Sequence, residues 1–154
     1  MTAQDAAQDG ARDRAFVVVS ADECRTLLAT RQLGRIGLAD GAYPLILPVN
    51  YVLDGDAVVI RTDSPKITAA ADHTRVAFEV DDVDERTRSG WSVLVQGWAS
   101  LITRPDELGR AEALGLQTWA PGTRGHYVRI HSEMVSGRRL LGAQANTFAG
   151  VGCG

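Results

Sequence analysis

The sequence predicts a small antiparallel β-barrel whose ends are covered by helices. Three observations predict it: strand-like runs with alternating apolar residues, hairpin turn signals between consecutive runs, and no βαβ crossover units. About six strands and two or three helices follow one another in 154 residues, without a repeat or a linker. We therefore expect one mainly β domain over residues 15–141, between a disordered N-terminal tail, residues 1–14, and a flexible C-terminal tail, residues 142–154.

Ordered structure is expected to begin at "AFVVVS", and the first helix follows directly. Ser20 and Glu23 have the spacing of a capping box, in which each side chain bonds a backbone N–H group at the helix start. The helix "ADECRTLLATRQLG" then places its apolar residues, Cys24 among them, on one face. We expect it to end at Gly34, because glycine commonly terminates helices.

Three strands of a meander come next. They are "GRIGLA", "YPLILPVNYVL" and "AVVIRT". Asp40 and Gly41 join the first two, and the "DGD" of residues 54–56 joins the last two. Such residues tolerate the positive φ angles of tight hairpin turns. A short helix, "PKITAAADH", follows with Pro65 in its first turn, a favourable position for proline.

The second half of the chain supplies the remaining strands. "RVAFEVDD" alternates between apolar and acidic residues, and the charged segment "DDVDERTRSG" is expected to be a solvated loop. "WSVLVQGWASLIT" is a long strand, "PDELGRAEAL" is a helix weakened by Gly109, and "HYVRIHSEMVSGRR" is the last strand. These segments complete the six predicted strands.

Composition is that of an ordinary globular protein and argues against several function classes. Hydrophobic residues make up 45 % and charged residues 23 % of the chain. With 16 Lys+Arg against 19 Asp+Glu, the net charge is −3, so the basic stripe of a nucleic-acid-binding protein is not expected. No apolar run approaches the roughly 18 residues of a membrane span, and the N-terminus lacks the apolar core of a signal peptide. We expect a cytoplasmic protein without membrane or nucleic-acid partners.

Side chains suited to catalysis or metal binding are sparse. Cys24 and Cys153 lie far apart without a CxxC partner, so both are expected to be reduced and functionally silent. His126 and His131 are five positions apart on a predicted strand, so they point to opposite faces and cannot chelate one metal. No GxSxG motif is present. The sequence therefore assigns no catalytic residue and no metal site.

The corner "RTDSPK", residues 61–66, collects groups that favour anions. Arg61 and Lys66 supply positive charge, Thr62 and Ser64 supply hydroxyls, and the following helix start supplies N–H groups. Such a corner suits a phosphate, but a polar turn with an N-cap and solvated cations explains it equally well. Without a GxxxxGK[ST] or GxGxxG motif, a nucleoside triphosphate or a Rossmann-bound dinucleotide is not indicated.

The neighbouring strand contains an unusual proline, within "LPVNYV". Proline cannot donate to a strand ladder, so it indicates an edge, a bulge or a strand that lines a ligand. Asn50 offers both a donor and an acceptor. Because a hairpin joins this strand to the one ending at Arg61 and Thr62, a flat ligand with a phosphate tail could lie along the seam. Trp98 and Trp119 are candidate pocket walls, although such aromatics more often lie in a core or a dimer interface.

The segments "GRIGLADGAYPLILPVNYVLDGDAVVIRTDSPKITAA", "VAFEVDD", "GWSVLVQGWA" and "YVRIHSEMVSGRR" occur in an order that resembles a known family. They are similar to the pyridoxamine 5′-phosphate oxidase-like proteins, the FMN-binding split β-barrel superfamily. The similarity is greatest to its short bacterial branch, which includes nitroimidazole-resistance-type proteins. It covers roughly Ser20 to Leu141. The resemblance implies a six-stranded split β-barrel that forms a homodimer, with two FMN molecules at the subunit interface.

The resemblance also implies which residues bind the cofactor. One strand lines the flavin ring, the corner holds the ribityl phosphate, and the start of the long strand approaches from a neighbouring segment or from the partner subunit. The strand residues are Pro48, Val49, Asn50 and Tyr51. The corner residues are Arg61, Thr62, Asp63, Ser64 and Lys66, and the long strand begins with Trp91 and Ser92.

Two departures from the family pattern limit what the resemblance implies. The turn "DSP" is shorter than in the oxidases proper, and "VSGRRLLGAQANT" lacks the basic stretch that grips pyridoxal phosphate there. Vitamin B6 oxidation is therefore not assigned. We expect an FMN-binding oxidoreductase that transfers hydride or electrons to or from a small organic substrate. A deazaflavin-dependent reductase and a non-catalytic flavin-binding protein are the alternatives, and haem is least favoured because no axial histidine is evident.

Overall fold

A computed structural model of the chain describes residues 16–122 and 125–142. The predicted tails lie outside these residues except for Gly142, as does Cys153. The elements follow one another as β1 (Phe16–Val19), α1 (Ala21–Leu28), β2 (Leu33–Asp40), β3 (Tyr43–Asp54), β4 (Ala57–Thr62), α2 (Pro65–Ala70), β5 (Thr74–Asp84), β6 (Ser89–Leu101), α3 (Pro105–Ala113) and β7 (His126–Leu140). None of the three helices in the described part of the chain combines the length and hydropathy that a bilayer crossing requires.

Six of the strands close a ring in which every pair is antiparallel. Their order is β7, β4, β3, β2, β5 and β6, and β6 pairs back with β7. The mainly β barrel is thus confirmed. The predicted count of six strands is wrong, because β1 is a seventh strand. It pairs with residues 137–140 of β7, on the same edge of β7 where β4 pairs with residues 126–131. The run "FVVV" shows no alternation, and its partner lies near the other end of the chain, so periodicity alone does not assign it as a strand.

The barrel interior is filled by alternating side chains of the strands. Val76, Phe78 and Val80 of β5 are buried as predicted, while the intervening residues face outward. The rings of Phe78 and Tyr51 meet edge to face with centroids 4.9 Å apart. The Tyr51 hydroxyl donates a hydrogen bond to the Leu28 carbonyl, which ties β3 to α1. Burial raises the pKa of the Tyr51 phenol, so this side chain is a neutral structural donor.

The start of α1 agrees with the sequence, except for one half of the capping box. The Glu23 N–H donates to Ser20 Oγ at 3.2 Å, as predicted. The Glu23 carboxylate does not complete the box in return. Instead it accepts a hydrogen bond from Arg139 Nη2 of β7 at 2.7 Å, which fastens the helix to the barrel.

The end of α1 differs from the prediction. The helix stops at Leu28, and Gly34 lies inside β2. A Cβ atom at Gly34 would lie 2.4 Å from the Phe78 ring, so this position requires glycine for a close approach and not for a helix cap. Glycine alone does not distinguish these two uses in a sequence.

The acidic and basic segment predicted as a loop is mostly strand. β5 continues to Asp84 and pairs there with Ser89, the first residue of β6, so that only residues 85–88 form the turn. Charged side chains on the outer face of an antiparallel sheet are solvated just as they are in a loop. The charge run therefore carried no information about the backbone.

Helix α3 covers the outer face of the barrel over β4 and β7. Ala111 of the helix packs with Val59, Ile102 and Tyr127 in a small apolar cluster outside the main core. This packing brings the connection between α3 and β7 close to the corner where β4 ends. The corner and the connection together border the candidate site.

Candidate functional site

A cleft of about 380 Å³ lies between β3 and the corner that joins β4 to α2. Its volume is within the range of small-molecule sites. The lining residues are Leu33, Leu47, Pro48, Val49, Asn50, Arg61, Thr62, Ser64, Ile67, Thr118, Trp119 and Ala120. Six predicted site residues are therefore brought together: Pro48, Val49, Asn50, Arg61, Thr62 and Ser64.

The hydroxyls at the polar end of the cleft have a structural role that is compatible with anion binding. The Ser64 N–H donates to Thr62 Oγ1 at 3.0 Å, and the Ile67 N–H donates to Ser64 Oγ at 3.4 Å. Ser64 therefore caps α2, as the N-cap interpretation of the corner predicted. Both hydroxyl oxygens act as acceptors in these bonds, so each hydroxyl hydrogen can be donated to a bound anion.

The two cations of the corner lie in different positions. Arg61 lines the cleft, and its guanidinium carbon is 5.3 Å from the ring centroid of Tyr127, a cation–π distance. Lys66 lies outside the cleft lining, with its Nζ 3.5 Å from Asp40 Oδ2 and 62 % of its side chain exposed. An exposed ion pair contributes only about 0–1 kcal/mol, so Lys66 can exchange Asp40 for a more highly charged ligand at little cost.

Two of the predicted site residues, Asn50 and Asp63, bind the protein's own backbone. The buried Asn50 side chain donates from Nδ2 to the Gln32 carbonyl at 3.0 Å and accepts at Oδ1 from the Trp119 N–H at 2.8 Å. Asp63 accepts at Oδ1 from the Gly125 N–H at 2.6 Å. The amide groups of Asn50 that were expected to face a ligand thus have partners within the chain.

The remaining predicted residues lie away from the cleft within one chain. Tyr51 and Trp91 are buried in the main core cluster. Ser92 faces outward from β6 and lines a separate hollow with Glu79 and others. Burial raises the pKa of Glu79, and the neighbouring Asp81 raises it further. Within one chain Ser92 therefore lines this hollow and not the cleft.

Sequence reasoning missed several lining residues. Leu33, Leu47, Ile67, Thr118 and Ala120 were not predicted, while Trp119 was a candidate pocket wall and does line the cleft. The available signal was the segment "LGLQTWAPG", which places a large aromatic residue in a connection rich in glycine and proline. Binding residues lie disproportionately on loops.

A larger groove, of about 850 Å³, lies elsewhere on the outer surface of the barrel. The exposed apolar side chains of Tyr43, Ile46 and Met134 line it, and its charged residues, Arg75 and Glu133, pair with each other at 3.3 Å. The groove offers apolar surface without a cluster of anion-binding groups. The smaller cleft is therefore the better candidate for a phosphorylated ligand.

Comparisons with known proteins identify the family and the fold. A family model described as pyridoxamine 5′-phosphate oxidase matches residues 20–139. An uncharacterized protein of Mycobacterium tuberculosis is 34 % identical over 134 residues, which cover 83 % of this chain and 88 % of that protein. A structure from Corynebacterium glutamicum, provisionally described as a pyridoxamine 5′-phosphate oxidase, is 30 % identical with a TM-score of 0.72, covering 81 % of this chain and 98 % of that one.

Two further solved structures share the fold. The FAD-binding protein from Mycobacterium smegmatis is 31 % identical with a TM-score of 0.64, covering 82 % of this chain and 99 % of that one. A protein from Bacteroides thetaiotaomicron, provisionally described as a 5-nitroimidazole antibiotic resistance protein, shares the fold at 12 % identity and a TM-score of 0.64, covering 80 % and 87 %. The family and the split β-barrel expected from the sequence are confirmed. The chain belongs to the pyridoxamine 5′-phosphate oxidase-like family.

Proposed function

We propose that the protein binds a flavin nucleotide in the cleft and is an oxidoreductase acting on a small organic compound. The observation that carries the proposal is the division of the cleft into an apolar wall and a polar corner. A flavin has the same two parts, a planar ring and a ribityl phosphate. The sequence resemblance favours FMN, whereas the similar protein from Mycobacterium smegmatis binds FAD. Both contain the ring and the phosphate, so one corner suits either.

Each part of the cleft has a distinct task in this proposal. Pro48 and Val49 provide an apolar surface for the ring, and burial there shields it from water. Arg61 provides a delocalised charge for the phosphate, and Thr62 and Ser64 provide hydroxyl donors. These are charge-assisted bonds, which are stronger than bonds between neutral groups.

The lining of the cleft favours chemistry that the cofactor supplies. Among the described lining residues, Arg61 is the one that carries charge, and it stays protonated at any physiological pH. The described lining residues therefore include no side-chain acid or base. A bound flavin would supply hydride transfer, which requires none. The chain's own contribution is then to bind the ring, orient it and leave one side open to the substrate.

The first prediction is that the purified protein, stripped of any bound cofactor, binds FMN or FAD more tightly than riboflavin. Riboflavin has the ring but lacks the phosphate, so the ratio of affinities isolates the contribution of the corner. Titration monitored by flavin fluorescence and absorption measures the dissociation constants. A deazaflavin is titrated in the same way as the competing ligand. Failure of every flavin to bind, or tighter binding of the deazaflavin, would contradict the proposal.

Turnover distinguishes an oxidoreductase from a non-catalytic flavin-binding protein. With FMN bound, a reduced nicotinamide donor should pass a hydride to the flavin, which bleaches its absorption near the visible maximum while the nicotinamide is oxidised. Reoxidation by candidate acceptors then restores the absorption. A flavin that stays oxidised with every donor supports the non-catalytic alternative.

We also propose that the protein forms a homodimer with the cleft near the subunit interface. Support comes from the apolar groove, because three large exposed side chains gathered in one place are typical of an interaction surface. Ile46 of the groove and Pro48 of the cleft lie two positions apart on one face of β3. A second copy seated on the groove would therefore border the cleft.

The position of Ser92 is compatible with this dimer. Ser92 and Gln96 face outward from β6, and Gln96 lines the groove. In a dimer with twofold symmetry the same patch serves both copies. A copy that covers the groove can then bring its Ser92 towards the neighbouring cleft, as the family resemblance implies.

The second prediction is that Ile46→Asp converts the dimer into a monomer, because a carboxylate cannot be buried in an apolar interface without a partner. The Ile46 side chain is 68 % exposed in the single chain, so the substitution does not disturb the core. Val83→Asp is the matched control, since Val83 is 61 % exposed and lies outside the groove. Analytical ultracentrifugation measures the mass. A monomeric wild-type protein, or a dimeric Ile46→Asp variant, would refute this interface.

A further inference from the structure

Two backbone N–H groups of the connection between α3 and β7 are bound by side chains from β3 and from the corner. Asn50 of β3 binds the backbone N–H of Trp119, and Asp63 of the corner binds the backbone N–H of Gly125. The two side chains come from the two walls of the cleft. Asn50 therefore fixes the backbone of Trp119 relative to β3, and Asp63 fixes Gly125, just before β7, relative to the corner.

Asn50 is built to hold this position. Its side chain is buried, with a relative exposure of 8 %, and both of its amide groups have partners. The bond to the Gln32 carbonyl orients the amide, which leaves Oδ1 directed at the Trp119 N–H. A buried amide satisfied in this way defines one arrangement of the groups around it, because breaking either bond leaves a buried polar group unpaired.

Trp119 is held at the cleft but is not packed into the protein. The residue lines the cleft, yet 63 % of its surface is exposed. Trp91, by contrast, lies in the core. The Trp119 side chain therefore loses no core contact when a ligand covers it. Instead it gains buried area and ring stacking.

We propose that Trp119 stacks on the planar ring of the flavin, and that Asn50 and Asp63 are positioning residues that place the indole there. The inference rests on the proposed function, since it specifies how the same cleft recognises the ring. It also separates the two halves of recognition: the corner acts on the phosphate, and the tethered indole acts on the ring.

The first test measures binding of FMN and riboflavin by the full-length Trp119→Leu variant. We expect both dissociation constants to rise by about tenfold with their ratio unchanged, because stacking does not involve the phosphate. Flavin binding should quench indole fluorescence strongly in the wild type and much less in the variant. Trp98→Leu is the control, since Trp98 is exposed but lies outside the cleft lining; it should leave both constants unchanged.

The second test addresses the positioning residues through a double-mutant cycle. Asn50→Leu should weaken binding of both flavins, but it should have little further effect in the Trp119→Leu background, because it acts through the indole. Asp63→Ala should behave similarly, and Asp63→Asn, which keeps an oxygen acceptor, should restore affinity. If Asn50→Leu does not fold, the double-mutant cycle is measured with the Asp63 variants, because Asp63 is exposed and its substitution does not disturb the core.

The outcomes separate this inference from the proposed function. If the wild type binds no flavin, the proposed function fails and the inference fails with it. If the wild type binds flavin and Trp119→Leu binds it equally well, only the inference is overturned. Additive losses in the double-mutant cycle would overturn the positioning roles of Asn50 and Asp63 while leaving the stacking role of Trp119 in place.

Discussion

Replacing Arg61 and Lys66 together by alanine is expected to weaken FMN binding by about 2–4 kcal/mol, or roughly 30- to 700-fold. Both residues supply positive charge at the corner, but from different distances. Arg61 already lines the cleft, and Lys66 must exchange its exposed contact with Asp40 for the phosphate. We therefore expect Arg61→Ala alone to account for the larger part of the loss.

The measurement is the dissociation constant for FMN and for riboflavin in the wild type and in the double variant. The variant should lose affinity for FMN and keep its affinity for riboflavin, since only the phosphate interaction is removed. Arg86→Ala combined with Arg104→Ala is the matched control, because it removes two exposed cations outside both the cleft and the groove and changes the net charge equally. Equal FMN affinity in the two double variants would show that net charge, and not the corner, attracts the phosphate.

Lys66 allows a direct check of its movement, because it is the only lysine among the 154 residues. An amine-reactive label followed by peptide mass spectrometry reports on this one side chain. FMN should slow the labelling of Lys66, whereas riboflavin should not. Equal protection by both ligands would place Lys66 away from the phosphate and assign the corner's charge to Arg61.

The local features of the fold could be predicted because each has a cause within a few residues. The hairpin turns contain Gly41 and Gly55 with positive φ angles of 62° and 59°, which the sequence signals at both places predicted. Ser64 caps α2 and Pro65 opens it for equally local reasons. Hairpins between consecutive strands were sufficient to indicate an antiparallel barrel.

The features that the sequence did not predict depend on distant partners. β1 is a strand because the end of β7 offers it an edge, and the charged hairpin of β5 and β6 continues because the two strands keep pairing. Gly34 was interpreted as a helix end, although its small size serves the Phe78 ring that packs on it. In each case the cause lies at a residue far away in the sequence.

The residues of the candidate site also separate into those that local sequence indicates and those that depend on distant segments. The corner was found because its residues are consecutive, and the adjacent strand was found through a hairpin. Asn50 lines the cleft, but its partners, Gln32 and Trp119, come from segments that no local pattern connects to β3. A side chain that organises other segments has the same sequence signature as one that contacts a ligand.

Gly97→Ala is expected to lower the free energy of unfolding by about 3 kcal/mol or more, or to prevent folding. A Cβ atom at this position would lie 1.8 Å from the backbone carbonyl oxygen of His131 in β7. Gly97 sits at a β-bulge, where Gln96 pairs with Met134 and Gly97 pairs with Ser132, so that the intervening residue of β7 is extra. A backbone atom cannot move aside as the end of a side chain can, and relief would require β6 and β7 to separate at the seam that closes the barrel.

Two other glycines distinguish this cause from a general intolerance of alanine. A Cβ atom at Gly37 in β2 would lie 3.6 Å from Ala77 Cβ, an ordinary contact, so Gly37→Ala should be nearly neutral. A Cβ atom at Gly109 in α3 would meet nothing within 4 Å, and alanine should stabilise the helix there by about 0.5–1 kcal/mol. Chemical denaturation of the three variants gives the comparison. If Gly97→Ala unfolds at the same denaturant concentration as Gly37→Ala, β6 and β7 can separate at the bulge without loss, and the barrel does not depend on that close contact to stay closed.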